Sequence, residues 1–207
     1  HMNAKKLSKY FSKGAIWGFI VLEMIFFSIA GEFLSTSEKA FMDVDNMLLL
    51  LKQSAPIGII AIGMTIIMIN GNIDLSVGAI FAMSGIILLD SMTWLIFVGL
   101  GEWVIPVSWL LALLTGTALG FINGLIVWKT GVDAFIVTLG AMLGFRGLVF
   151  MYNGENPTSH LNWTLVDFAE LEFLGLHTAT WFLLVVTVII WFVMTRTVHG
   201  RNAYAIG

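Results

Sequence analysis

The chain has 207 residues, 58% of them hydrophobic and 11% charged, with a mean hydropathy of +0.94 and a formal net charge of −3. A soluble domain carries about 25% charged residues, so this composition excludes a water-soluble globular protein and specifies a membrane protein. The absence of cysteine excludes a disulfide framework and a thiol-ligated metal.

Spans follow from runs of about 20 mostly apolar residues. Six candidates occur in order: 14–34, 47–70, 74–95, 103–128, 134–152 and 178–195. His1 and Met2 read as a cloning remnant ahead of a tail, 1–13, that carries Lys5, Lys6, Lys9 and Lys13. The first span followed by "SIAG" has some character of a signal peptide, but its length and Glu23 favour a retained helix. Glu23 is expected to face the protein interior, because an ionised carboxylate facing lipid is costly. Lys52 and Gln53 weaken the second span, which leaves Ser54–Met68 as its apolar core, and the third is short or re-entrant if it stops near Leu89.

Lysine and arginine placement sets the orientation. The four N-terminal lysines put the N-terminus in the cytoplasm, and six spans then place Lys129, Arg196 and Arg201 on the same side. The opposite side receives Lys39 and most of the acids, among them Glu38, Asp90, Glu102, Glu155, Glu170 and Glu172. The longest external segment, 153–177, contains Trp163 and "LVDFAELEFLGL", a candidate interfacial helix. The expected fold is an all-α polytopic bundle over 14–195, both termini cytoplasmic, with 196–207 as a cytoplasmic segment. No Walker A motif, zinc spacing or dinucleotide-binding glycine pattern is present, so whatever energy source is used must come from elsewhere. The lysines serve as orientation signals, and nothing points to nucleic acid.

The apolar pattern breaks at "NGNID", between the second and third spans. Gly71 suits a positive φ and Asn70 or Asn72 a turn, while Asp74 is placed to cap the next helix, with Ser76 in its first turn. A tight capped turn explains these residues; a polar corner facing a transport path or a partner subunit is the compatible functional reading. Small residues recur as Gly78 and Gly85, as Gly116, Gly120 and Gly124, and as Gly140 and Gly144. Such stripes let helices pack closely in lipid. Asn123, near the cytoplasmic end of the fourth span, either cross-links helices or lines a cavity. Arg146 lies twelve residues after Ala134, about 18 Å along the helix. A snorkelling or ion-paired arginine explains it better than a substrate ligand.

Four blocks together, "GNIDLSVG" (71–78), "GFINGLIV" (120–127), "VDAFIVTLGAMLGFRGL" (132–148) and "GRNAYAIG" (200–207), resemble the permease subunit of bacterial sugar ABC importers of the ribose, xylose and galactose type. The resemblance implies a multi-pass protein of the bacterial inner or plasma membrane. It pairs with a second copy or paralogue, with cytoplasmic ATP-binding subunits, and with a periplasmic or lipid-anchored solute-binding protein. It would carry a monosaccharide or related small solute by alternating access, with no cofactor of its own and ATP bound by the partner. By position, the 71–78 block, with Asn72, Asp74 and Ser76, and Asn123 would lie by the pore or the subunit contact. Two departures stand out: Asn72 replaces a family glycine, and the chain ends at "YAIG", ahead of the family's coupling segment and further helices. It is therefore expected to be an N-terminal portion of a permease. A secondary transporter or channel is the alternative, supported by Glu23 and the glycine-rich third span. A permease for another solute, such as a branched-chain amino acid, is a neighbouring one. An intramembrane enzyme is weaker still, since Ser84 has no histidine within the spans; His160, His177 and His199 fall in loops or at an edge.

Overall fold

The structure, a computed structural model, describes residues 4–34, 41–153 and 163–207. Its elements are helix α1 (Ala4–Leu34), α2 (Val44–Ile69), α3 (Val77–Phe97), a 3₁₀ turn (Gly101–Trp103), α4 (Val104–Thr130), α5 (Ala134–Asn153) and α6 (Trp163–Glu170). Two short strands, β1 (Glu172–Phe173) and β2 (Leu176–His177), precede α7 (Thr178–Arg196) and α8 (Val198–Ile206). Among the described residues five helices are long and apolar enough to cross a membrane, from α2 to α5 and α7. In α1 the apolar part, Ala15–Gly31, is shorter, about the minimum that crosses. The remnant His1–Met2, the 35–40 connection with Glu38 and Lys39, and the 154–162 stretch with Glu155 and His160 lie outside the described residues.

Two of the expected weaknesses are absent. Helix α2 runs unbroken through Lys52 and Gln53, and α3 continues past Leu89 to Phe97, long enough to span. The segment after α5 is the larger correction. The helix expected over "LVDFAELEFLGL" stops at Glu170, and the rest is an antiparallel hairpin with Glu172 opposite His177 and Phe173 opposite Leu176. Leu174 at φ 53° and Gly175 at φ 74° supply the two left-handed residues that a tight two-residue hairpin turn needs. The hairpin is tied to α7: Trp181 Nε1 donates to the Phe173 carbonyl at 2.9 Å, and Thr178 N donates to that of Leu171 at 3.0 Å. Across the strands, His177 Nε2 lies 3.3 Å from Glu172 Oε1.

The chain divides into two compact units, His1–Ser54 and Ala55–Gly207. In the first, packing gathers where α1 ends: Phe27 stacks on Phe41 at 5.7 Å, and Asn46 Nδ2 holds the Phe41 carbonyl at 2.7 Å. Glu23 lies away from that contact and is exposed, against the expectation of an interior position. In the second, α3 and α4 form the most extensive helix pair and α5 packs mainly on α3. Their core at the α3–α4 turn is Met92, Leu95 and Val104.

Most large apolar side chains point outward, Phe121, Leu113 and Phe97 among them. In water such exposure would be untenable; in a bilayer it suits a surface that meets lipid or other membrane helices. The same medium explains the hydroxyls. Thr65, Thr115, Thr187 and Thr195 each donate to the carbonyl four residues back, at 2.7–2.9 Å, because hydrocarbon offers no other partner.

Glycine packing is localised. An added Cβ at Gly116 would lie 3.1 Å from Ser84 Oγ, so here α3 and α4 approach through a missing side chain. At Gly78, Gly85, Gly120, Gly124, Gly140 and Gly144 it would meet nothing within 4 Å among the described residues. The stripes therefore serve close packing within this chain at Gly116, and the others leave space. Gly58, absent from the sequence-based set, also packs closely, its Cβ position 2.9 Å from Leu183 Cδ1.

A polar knot beneath a cavity at one end of the bundle

Four helix ends converge where the apolar pattern breaks: the C-termini of α2 and α4 and the N-termini of α3 and α5. After α2, Asn70 and Gly71 donate back to the Ile67 and Met68 carbonyls at 3.1 and 3.0 Å. Gly71 has the expected left-handed φ, 74°. The chain then runs without regular structure to Ser76, which occupies the N-cap position of α3. The sequence pattern assigns that place to Asp74 instead. Asp74 sits two residues earlier, where its Oδ1 accepts from Ser76 N at 2.7 Å and Ser76 Oγ at 2.6 Å. An aspartate bonding two residues ahead makes an Asx turn, which delays the helix start. The same device precedes α5: Asp133 Oδ1 accepts from Phe135 N at 2.8 Å.

Ser76 is the hub, at 0% exposure. Its hydroxyl also accepts from Asn123 Nδ2 at 2.8 Å, which joins α4 to the start of α3 across 47 residues of sequence. Asn123 is 3% exposed. It thus cross-links helices and also lines a cavity. A third helix joins through Thr138 of α5, which is likewise 3% exposed. Its Oγ1 accepts from Leu75 N at 3.1 Å and donates to the Ala134 carbonyl at 2.8 Å. Each tie uses a buried polar group that would otherwise be unpaired in an apolar surrounding.

Above the knot is a cavity of about 490 Å³. Asn70, Asn72, Asp74, Asn123, Thr138 and Trp128 supply its polar and aromatic wall. Gly120 and Gly124 border it as well, with Cβ positions that meet nothing within 4 Å. No lysine or arginine is among the lining residues.

The structure therefore brings together Asn72, Asp74, Ser76 and Asn123 but not Arg146. Arg146 lies eight residues beyond Thr138 on α5, about 12 Å along the axis. It is exposed, with its guanidinium carbon 5.9 Å from the Phe150 ring centroid. This is the geometry of a side chain that reaches along the helix surface. Sequence reasoning missed Thr138, Asn70 as a cavity residue, and Asp133. The available signal for Thr138 was a hydroxyl one turn into α5, at the end of the bundle that already carried the broken turn. Thr138→Val removes the acceptor of Leu75 N. We expect it to lower thermal stability by about 1 kcal/mol, and Thr138→Ser to preserve it; equal unfolding midpoints for the two variants in detergent would count against the tie.

Comparisons with known proteins identify the family. The ribose import permease protein RbsC of Haemophilus influenzae is 37% identical over 171 residues, 81% of this chain and 51% of that protein. The D-allose transport system permease protein AlsC of Escherichia coli is 34% identical over 179 residues, 86% of this chain and 53% of its own length. The autoinducer 2 import system permease protein LsrC of Salmonella typhi is 29% identical over 175 residues, 84% and 48% respectively. The chain spans about half the length of these curated relatives. No solved structure matches it significantly. A family model described as the permease component of the branched-chain amino acid transport system matches residues 46–207, every helix from α2 to α8, and the chain belongs to that family of multi-pass membrane permeases.

Proposed function

We propose that this chain is the membrane-spanning permease part of an ATP-driven importer for a monosaccharide or a related small polar solute. The observation that carries the reading is the similarity to three import permeases whose named solutes include ribose and D-allose. It works in the bacterial inner membrane, beside a second permease copy or paralogue. Cytoplasmic subunits bind and hydrolyse ATP, and a periplasmic or lipid-anchored binding protein delivers the solute. The chain itself hydrolyses nothing and needs no cofactor. Lys129, Arg196 and Arg201 put the polar knot on the cytoplasmic side, the side where such ATP-binding subunits act.

Two features support the knot as part of the path. Asn72, Asp74 and Asn123 line a cavity in an otherwise apolar bundle, and the Asp74–Ser76–Asn123 chain of bonds ties the cavity wall to the α3–α4 pair. A change in the α3–α4 contact therefore reaches the cavity through fixed bonds. Ser84, the conceivable nucleophile of an enzymatic reading, faces Gly116 across that contact.

A tag on the N-terminus, followed by capture from native membranes and mass spectrometry, tests the assembly. The expected companions are a Walker-motif ATPase and a solute-binding protein. Recovery of this chain with neither would overturn the importer reading.

A further inference from the structure

The hairpin between α6 and α7 has two unlike faces. Paired residues of two strands put their side chains on one face, and successive residues alternate. Glu172 and His177 therefore share a face, where their side chains meet at 3.3 Å, with Glu170 Oε2 4.0 Å from the same His177 nitrogen. Phe173 and Leu176 share the other, and Phe173 lies against Trp181 of α7 with ring centroids 5.8 Å apart. This apolar side is open: Phe173 is 66% exposed, Leu174 at the turn 78%, and Leu171 just before β1 57%. Its depth follows from α7, whose 19 residues extend about 28 Å. That is close to the roughly 30 Å of a hydrocarbon core, so a spanning α7 has Thr178 at one boundary and Arg196 at the other. The hairpin is tied at the Thr178 boundary. The Leu171 carbonyl accepts from Thr178 N at 3.0 Å and from Thr178 Oγ1 at 2.9 Å, and the Phe173 carbonyl accepts from Trp181 Nε1 at 2.9 Å. Trp181, one turn inside α7, stands where indoles collect at membrane interfaces.

We propose that the β1–β2 hairpin is an interfacial anchor. Leu171, Phe173 and Leu174 enter the boundary between headgroups and acyl chains at the start of α7, while Glu170, Glu172 and His177 stay in water. The inference rests on α7 spanning the membrane and not on the solute carried. Lipid is the occupant because the hairpin's apolar face continues the exposed apolar surface of α7, through Phe182, Leu184 and Val185, at the level where a leaflet begins. The hold is apolar and not electrostatic: no lysine or arginine occurs between Arg146 and Arg196, and the hairpin's polar side carries carboxylates. Affinity of such an element scales with the apolar area it buries, so the charge of the headgroups has little influence. Trp109 of α4 stacks on Phe182 at 5.4 Å, so the anchored end of α7 also sets the level of α4.

The chain contains no cysteine, so a single introduced one carries a spin label at a known place. The test uses the full chain in phosphatidylcholine nanodiscs, labelled in turn at Leu171→Cys, Leu174→Cys and Glu172→Cys. Power-saturation EPR then compares collisions with oxygen, which partitions into lipid, and with a neutral nickel chelate, which stays in water. The oxygen-to-nickel ratio should be about 10-fold higher at Leu171→Cys and Leu174→Cys than at Glu172→Cys, as for an apolar face about 5–10 Å into the boundary. Discs containing phosphatidylglycerol should give the same ratios. Two apolar positions are labelled so that a folding defect at one leaves the other readable. Ratios at both equal to that at Glu172→Cys would place the hairpin in water and overturn the anchor. Labels shielded from both reagents would show a protein cover, a second copy of this chain, and overturn it too. Ratios that rise with phosphatidylglycerol would overturn the apolar basis of the contact. None of these results bears on the import reading, which the capture experiment tests separately.

Discussion

Asp74→Ala is expected to destabilise the α3–α4–α5 bundle by about 2–4 kcal/mol and to reduce transport at least 10-fold. The substitution removes the acceptor of both the Ser76 N–H and the Ser76 hydroxyl, at a residue with 0% exposure. A buried donor left unmade costs about 1–3 kcal/mol, while polar ties between membrane helices contribute about 0.6–2 kcal/mol; doubled for two orphaned donors, the two ranges overlap at about 2–4 kcal/mol. The freed hydroxyl also ceases to be held in place for Asn123. A negative charge close to the positive end of α3 is lost as well. Asp74→Asn keeps a carbonyl oxygen in the same place and should lose less than half as much stability. Thermal unfolding in detergent, read by loss of the monodisperse species, separates the two. An Asp74→Ala midpoint equal to that of the unsubstituted chain would show that the knot carries no stability.

Gly116→Leu is the second large effect, through packing. A Cβ added at Gly116 would sit 3.1 Å from Ser84 Oγ and 3.8 Å from Ile80 Cγ2. Alanine asks Ser84 to yield by a few tenths of an ångström. Leucine adds three more carbons to the α3–α4 contact and forces the helices apart, for which overpacking costs of about 1–3 kcal/mol are usual. Asn123 lies seven residues further along α4, about 10 Å, so the separation also strains its bond to Ser76. Gly116→Leu should lose most transport, and Gly116→Ala should recover when Ser84→Gly is added. Gly120→Ala meets nothing within 4 Å and should cost little stability. Rescue by Ser84→Gly is the decisive readout, since a nonspecific defect would not respond to it.

How much of this the sequence discloses depends on the range of the interaction concerned. Spans are local: an apolar run long enough to cross is enough, and the expected 103–128, 134–152 and 178–195 correspond to α4, α5 and α7 within two residues. The interrupted turn at 70–76 was legible for the same reason, as a polar run between two apolar ones. Pairings were not legible. Nothing local tells that Asn123 donates to Ser76 rather than to a neighbour on its own helix, or that Thr138 meets the Leu75 N–H from 63 residues away. Glycine spacing names a face of a helix without naming what lies opposite; of the stripe glycines, Gly116 meets Ser84 and the others face open space. The β1–β2 hairpin escaped notice because its turn uses Leu174 at φ 53° where an asparagine would have signalled a left-handed residue. Arg146, singled out by its charge inside an apolar run, lies two turns beyond Thr138 and takes no part in the knot.

The most direct test of the importer is uptake of radiolabelled D-ribose and D-allose into right-side-out membrane vesicles containing this chain and the subunits captured with it, loaded with ATP and supplied with the binding protein. Accumulation of a sugar that requires both internal ATP and the binding protein, persists when ionophores collapse the ion gradients, and falls at least 10-fold in Asp74→Ala is the predicted result. Uptake that ignores ATP and disappears with the ionophores would contradict it and assign the chain to ion-coupled transport.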